Sequence, residues 1–279
     1  MTPTSPGGVD TAGQHIADRF VQARRRAVSL PDFPGPIPAD LVAAYRVQDA
    51  AIALWPDRVV GWKVGYIAAD RRDASGDERL LGPIFAGNLQ AGSAGVSFPI
   101  FAGGFGAIEA EYVLRLRADA PEGKRDWTPA EAAGLPADLY VGVEIASSPL
   151  ATINELGPRV VVSDFGNNNG LVLGPQIQDW LEVPEARMQV ATSVDGVVVG
   201  EGGASRLPGG LLAAYAFALS RSARRCRPLR AGELIATGNA TGIHDIREGQ
   251  QATVDFGQHG RISGRAVAAL PFGGAETQA

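Results

Sequence analysis

Hydrophobic and polar positions change their period along this chain, and the changes mark its elements. Over residues 12–27 the apolar positions Ile16, Phe20 and Ala23 recur near helical spacing. Over 39–54, Leu41, Ala44, Tyr45, Gln48 and Ile52 share one stripe. Both segments are predicted helices, separated by the four prolines between positions 30 and 38 and closed by Pro56. From residue 59 the period falls to two. Residues 59–67 (VVGWKVGYI) read as a buried strand, and 82–89 are again apolar. From 108 to 116 the pattern alternates, with Ile108, Ala110, Tyr112, Leu114 and Leu116 on one face. Residues 140–145 (YVGVEI) form a further strand. The polar stretches 68–81 and 118–139 are expected as loops, the second with a short helix at 129–133. A run at 171–173 starts another strand, and Asp195-Gly196 between two β-rich runs marks a hairpin over 189–200. Residues 209–225 are a predicted helix with Leu212, Tyr215, Ala216 and Leu219 on one side. Residues 232–242 read as a strand entering a glycine-bounded loop, and 251–256 with 261–268 as a last hairpin. Many short strands with few helices define an α+β protein. Its expected parts are a disordered tail at 1–11, a helical region at 12–58, a mainly β domain at 59–272 and a tail at 273–279.

Four charged side chains stand where this pattern calls for apolar ones. Glu109 and Glu111 project together from the second face of the 108–116 strand, and Glu144 is the one acid in YVGVEI. Lys63 sits in the middle of VVGWKVGYI. Carboxylates and ammonium groups resist desolvation unless they are paired. One reading leaves the acids solvated or salt-bridged, with the lysine stem packed and its head reaching water. The other gathers three carboxylates around a hard divalent cation with oxygen ligands. Three carboxylates, one dication and one lysine sum to zero, which joins Lys63 and the acids in one proposal. Open positions on such a cation suit a 2-oxo acid, whose carboxylate and ketone oxygens chelate it in a five-membered ring.

Composition narrows the field. The chain has 279 residues and a net charge of −5, with no basic, aromatic-interleaved patch, which argues against nucleic acid as a partner. The dense basic run at 24–26 lies in a predicted helix and reads as a solvated face. A single cysteine, Cys226, excludes an internal disulfide and a multi-cysteine metal site. No apolar run is long enough to span a membrane, and no charged start precedes an apolar one, so a cytoplasmic protein is expected. HExxH, Walker A, Rossmann GxGxxG and GxSxG motifs are absent. The run FGNNNG at 165–170, after the acid Asp164, suits either a plain turn or a loop of special dihedrals whose amides face a polar ligand. His244, next to Asp245, is a turn histidine or a proton shuttle.

The order of short motifs resembles a known branch. AYRVQ at 44–48, GWKVG at 61–65, GPIFA at 82–86, IEAE at 108–111, VGVEIASS at 141–148, VLG at 172–174 and ATG at 236–238 are similar to the 2-keto-4-pentenoate hydratase and 2-oxo-3-hexenedioate decarboxylase branch of the fumarylacetoacetate hydrolase superfamily. The resemblance covers roughly residues 12–270. It implies a mixed β-sandwich roll with a small helical N-terminal region, a homo-oligomer, and a Mg²⁺ or Mn²⁺ site. It places the metal on Glu109, Glu111 and Glu144, and an active-site lysine at Lys63. The activity it implies is hydration of a 2-hydroxy-2,4-dienoate through a metal-bound enolate, in aromatic catabolism. Alternatives are decarboxylation of a 2-oxo diacid, acylpyruvate-type C–C hydrolysis, or binding of an oxo acid without catalysis. Asp164 is then expected as a catalytic acid, and Asn167, Asn168 and Thr237 as substrate-binding residues. Arg71, Arg72 or Arg79 is available as a second cation for a diacid. The sequence departs from the hydratase pattern at Leu80, where relatives carry an acid that Asp77 or Glu78 would have to replace, and at FGNNNG.

Overall fold

Two aspartates start the chain's helical layer. The computed structural model describes residues 8–273, so the expected tail segments at 1–7 and 274–279 lie outside the described residues. Asp10 accepts from the N–H of Gly13 and caps α1 (Thr11–Arg26), and Asp40 accepts from Ala43 and caps α2 (Leu41–Leu54). The predicted stripes of both helices are buried: Ile16, Phe20 and Ala23 in α1, and Leu41, Ala44, Tyr45, Gln48 and Ile52 in α2.

Strands then dominate. In chain order they are β1 (Val59–Tyr66), β2 (Arg79–Phe85), β3 (Leu89–Ala91), β4 (Val96–Ile100) and β5 (Phe105–Leu116). The short α3 (Pro129–Ala133) falls on its predicted residues and leads to β6 (Ala137–Ser148). Two further short helices, α4 (Ile153–Leu156) and α5 (Pro158–Ser163), precede β7 (Asn168–Ile177). The predicted hairpin is β8 (Gln189–Val194) and β9 (Val197–Gly203), followed by α6 (Gly210–Arg224). Strands β10 (Leu234–Ala236), β11 (Ile243–Asp245), β12 (Gln251–Asp255) and β13 (Arg261–Ala268) complete the chain. They form an eight-stranded sheet in the order β2-β1-β10-β5-β6-β7-β3, with β11 also on β5, and a five-stranded sheet in the order β4-β13-β12-β8-β9. The pairs β1–β10, β3–β7 and β4–β13 are parallel, and the others are antiparallel.

The large sheet has two unlike faces. Ile108, Tyr112 and Leu114 of β5 join Val141, Val143 and Ile145 of β6 in the main core. The opposite face carries a smaller cluster containing Val60, Val113, Tyr140, Leu171 and Ala236. Because side chains alternate along a strand, Glu109 and Glu111 share the face of Val113, and Glu144 that of Tyr140. The acids therefore stand on the face with the smaller apolar cluster.

Several local expectations need correction. The 68–81 loop ends early, because Arg79, Leu80 and Leu81 pair with Tyr66, Gly65 and Val64 and so begin β2. Strand β7 starts at Asn168 rather than 171, because Asn168 pairs with Ala146 across a register shift. On α6, Leu211 is buried while Leu212 is only partly so. Arg24 is not part of a solvated face but is 4% exposed. Arg25 and Arg26 beside it are exposed.

Candidate metal centre

Strands β5 and β6 are each twelve residues long and pair without a register shift. That uninterrupted ladder sets Glu109 directly opposite Glu144 and Glu111 opposite Gly142. The three carboxylates converge, each offering an oxygen within 4.8 Å of the others. All three residues are at most 2% exposed. Lys63 pairs with Ala236 in β10, and Ala236 pairs with Val113 in β5. The single methyl of Ala236 leaves room for the lysine to reach over β10, and its Nζ lies 3.3 Å from Glu144 Oε1.

Neighbouring groups aim the acids. Glu111 Oε2 accepts from the backbone N–H of Gly238 at 2.6 Å, and Glu144 Oε1 accepts from Asn168 Nδ2 at 3.0 Å. One oxygen of each acid, Glu109 Oε1, Glu111 Oε1 and Glu144 Oε2, is buried without a hydrogen-bond partner. A buried carboxylate oxygen left in this state is costly, and three converging carboxylates, each with one such oxygen, are the donor set of a hard dication. The residues present therefore fit a divalent metal ion.

Without an ion the charges disturb one another. Burial pushes the Glu144 carboxyl up to about 7, with Lys63 opposing the rise and Glu109 adding to it. Glu111 is driven well above the ordinary carboxylate range by burial, then by Glu144 and Glu109. Burial works to lower the Lys63 pKa, but the three carboxylates outweigh it and the lysine ends above its usual value. A pH dependence follows. The folded protein holds these carboxyl protons more tightly than the unfolded chain does. Stability is full below the unfolded value near 4.5 and is lost as pH rises through about 7. Melting in the presence of a chelator is expected to give a lower Tm at pH 8 than at pH 5.5, with added Mg²⁺ raising Tm more at pH 8. A chelated protein that melts equally well at both pH values would contradict this charge assignment.

A cleft of about 200 Å³ opens beside the acids, at the edge where the parallel strands β1 and β10 end. Lys63 and Glu109 line its buried part, and the exposed Arg71 lines its mouth. Leu80 and Val161 supply apolar wall, and Asn167 and Asn239 supply amides. Arg71 donates to the carbonyls of Asn154, at 2.6 Å, and Glu155, at 3.3 Å, so its charge meets no carboxylate in these contacts. Arg72 pairs with Glu78, and Arg79 is buried between Glu78 and the carbonyl of Pro208, which leaves Arg71 as the one of these three arginines that lines the cleft.

The other sequence candidates divide. Asn167 lines the cleft, and its Oδ1 is buried without a partner. Asn168 is not among the residues that line the cleft, and its side-chain NH₂ donates to Glu144. Asp164 is not among the residues that line the cleft. Its Oδ1 accepts from Arg24 at 2.5 Å, and its Oδ2 accepts from Arg24 at 2.9 Å and from Ser148 at 2.6 Å, so both oxygens are committed to the scaffold. Thr237 donates to the carbonyl of Tyr112 and lines a neighbouring cavity. Asp77 pairs with Arg221 and Glu78 with Arg72, so neither replaces the acid missing at Leu80. His244 pairs in register with Ile108, while its neighbour Ile243 stands opposite Glu109 and lines the cleft. Sequence reading passed over Gly238, Asn239 and Arg24, although Gly238 and Asn239 lie in and just after the ATG motif.

No family model matches this chain, and no curated protein sequence does. Solved structures do. A 4-oxalocrotonate decarboxylase from Pseudomonas putida G7, complexed with calcium and acetate, aligns with 94% of this chain and 100% of its own at 20% identity and a TM-score of 0.75. The same decarboxylase complexed with magnesium and adipate aligns with 91% of this chain and 97% of its own at 20% identity and a TM-score of 0.74. A fumarylpyruvate hydrolase from Pseudomonas aeruginosa, in complex with Mn²⁺ and pyruvate, covers 76% of this chain and 91% of its own at 19% identity and a TM-score of 0.52. The fold is that of the fumarylacetoacetate hydrolase type, as the motif resemblance implied. Among the described residues no helix is long and apolar enough to cross a membrane.

Proposed function

We propose that this chain is a divalent-metal-dependent lyase that removes CO₂ from a 2-oxo diacid. The observation that carries the reading is the charge layout of the cleft. Lys63 and Glu109 line its buried part, with Glu111 and Glu144 beside Glu109, and the exposed Arg71 lines its mouth. Its lining residues include no carboxylate except Glu109. An acid at position 80 would repel the second carboxylate of a diacid; Leu80 does not. The similar folds of a decarboxylase with magnesium and adipate and of a hydrolase with Mn²⁺ and pyruvate support a small acid as ligand and a metal as cofactor.

The chain's own residues then have definable work. Glu109, Glu111 and Glu144 would hold Mg²⁺ or Mn²⁺, which when bound acts as a Lewis acid toward a ketone oxygen. Lys63 attracts the carboxylate of the 2-oxo acid and keeps a proton at Nζ. The C–C bond to the second carboxylate breaks, its electron pair passing along the conjugated chain toward the ketone oxygen, and that carboxylate leaves as CO₂. The pair returns to carbon with one proton, for which the buried Lys63 ammonium on the cleft is the donor. Arg71 binds the second carboxylate at the mouth. Hydration of a 2-hydroxy-2,4-dienoate is the second reading, favoured by Asn167 Oδ1, a free buried acceptor able to orient a water.

Incubation with Mg²⁺ and a panel of dienoates and 2-oxo diacids decides between them. CO₂ release from a diacid is the expected result. Loss of diene absorbance without CO₂ would make the protein a hydratase. Metal binding with no turnover of any substrate would leave an oxo-acid-binding protein. Arg71→Ala is expected to raise KM for the diacid about tenfold or more, the worth of a charge-assisted hydrogen bond, and to leave a mono-acid nearly unaffected. An unchanged diacid KM would remove Arg71 from the site.

A further inference from the structure

Arg24 is the most heavily bonded side chain outside the cleft, and the metal centre as read above gives it no role. It comes from α1, yet it reaches the strand ends behind Glu144. Its Nε donates to Asp164 Oδ1 at 2.5 Å. Its Nη1 donates to the carbonyl of Asn168 at 3.0 Å and to Asn169 Oδ1 at 3.3 Å. Its Nη2 donates to Asp164 Oδ2 at 2.9 Å, to the carbonyl of Asp164 at 3.3 Å and to the carbonyl of Ser147 at 3.1 Å. The guanidinium also lies over the rings of Phe101 and Phe165, at 5.4 and 5.1 Å from their centres.

Every hydrogen-bond partner lies in β6 (Ser147), in the start of β7 (Asn168 and Asn169) or in the loop that leads to it (Asp164). The loop is held in a conformation it would not adopt unaided. Phe165, Gly166 and Asn167 have successive φ values of 55°, 66° and 57°. Two of the three carry side chains, for which this left-handed region is unfavourable by about 1 kcal/mol or more each. The front of the loop is fixed by contact: a side chain at Gly82 would lie 2.2 Å from the carbonyl oxygen of Phe165. The back is fixed by Arg24. The residue that leaves the loop, Asn168, gives its backbone carbonyl to Arg24 and its side-chain amide to Glu144 Oε1.

We infer that Arg24 is a positioning residue for the metal centre, acting through Asn168 to set the orientation of Glu144. Burying an ion pair is rarely justified by stability alone, because desolvation offsets the attraction. A planar fork with five N–H donors matches six acceptors on three segments; a lysine at this place keeps the charge beside Asp164 but reaches few of them. The inference rests on the triad being a metal site, and its test separates the two. Mg²⁺ binding is measured by calorimetry on the full chain for wild type, Arg24→Lys, Asn168→Ala and the double variant. Arg24→Lys is expected to weaken Mg²⁺ binding about tenfold or more, the usual effect of losing an outer partner of a ligand. The double variant is expected to bind no more weakly than Asn168→Ala alone, because both changes cut one path. Wild-type affinity in Arg24→Lys, or losses that multiply in the double variant, would overturn the inference. Where Arg24→Lys does not fold, Asp164→Asn takes its place in the cycle with the same two expectations. A second readout needs no metal. The side-chain amide signals of Asn168 in ¹⁵N NMR are expected to move in Arg24→Lys, and unmoved signals would overturn the inference even if wild type bound no Mg²⁺.

Discussion

Glu109→Ala is expected to abolish Mg²⁺ binding and turnover while the protein stays folded. Glu109 faces Glu144 across the β5–β6 ladder and is the member of the triad that also lines the cleft. Removing it leaves two of the three carboxylates and takes one negative charge from the site, and affinity should fall by a factor of 100 or more. The fold should tolerate the change because the charge is in conflict with its surroundings when no ion is bound. Glu109 contributes to the upward shift of both Glu144 and Glu111, so its loss relieves repulsion at the centre. Metal-free Glu109→Ala should therefore match or exceed wild type in stability, by up to about 1 kcal/mol, against the loss usual for a truncated buried side chain. Glu109→Gln keeps the shape and removes only the charge, and separates cavity formation from electrostatics. Calorimetry with Mg²⁺ and melting with chelator read the two effects apart. Full Mg²⁺ affinity in Glu109→Ala would remove it from the ligand set.

What could be read from sequence, and what could not, follows the range of the interactions. The ladder that brings Glu109 to Glu144 was legible because a period of two assigns faces without knowledge of the partner, and three acids on apolar strands are conspicuous. Lys63 was legible for the same reason. The hairpin at Asp195-Gly196 was fixed by local backbone needs, with φ values of 48° and 80° at those two residues. Arg24 was misread because its pattern is local and its partners are 123 to 145 residues away. Three arginines in a row at a helix end suit solvent, and only the tertiary fold shows that the first of them turns inward. The partners of Asp164 were hidden in the same way: an acid at the end of an apolar run beside a polar loop suits a catalytic group, and only the tertiary fold shows its two oxygens bonded to Arg24 and Ser148. The special backbone of FGNNNG was visible in its glycines and asparagines, but the target of the Asn168 amide was not.

The second large effect is expected at Lys63. Lys63→Met keeps the stem and its packing and removes the one cation among three buried carboxylates. The cluster of Glu109, Glu111 and Glu144 with Lys63 carries −2 without metal and is neutral with a dication; without the ammonium these become −3 and −1. Breaking a buried pair by deleting one partner costs about 3–5 kcal/mol when the other charge stays buried. Here the carboxylates have an escape, since protonation removes the charge. The Glu144 carboxyl, already near 7 with Lys63 opposing the rise, moves higher when the lysine is gone. The loss of stability should accordingly be largest at pH 8 and much smaller at pH 5.5, where wild type and variant both hold protons in the triad. Metal binding requires these protons to leave, so the midpoint of Mg²⁺ binding in Lys63→Met should move to higher pH, with affinity below wild type at pH 5.5. Turnover should fall about 10²- to 10⁴-fold even at saturating Mg²⁺, because the cleft loses its buried proton donor. Melting curves at the two pH values, Mg²⁺ titrations across pH and a kcat measurement at saturating metal form one test. A variant equally destabilised at both pH values would mean that Lys63 acts through packing, and a variant with wild-type kcat would leave it a counter-charge with no part in proton transfer.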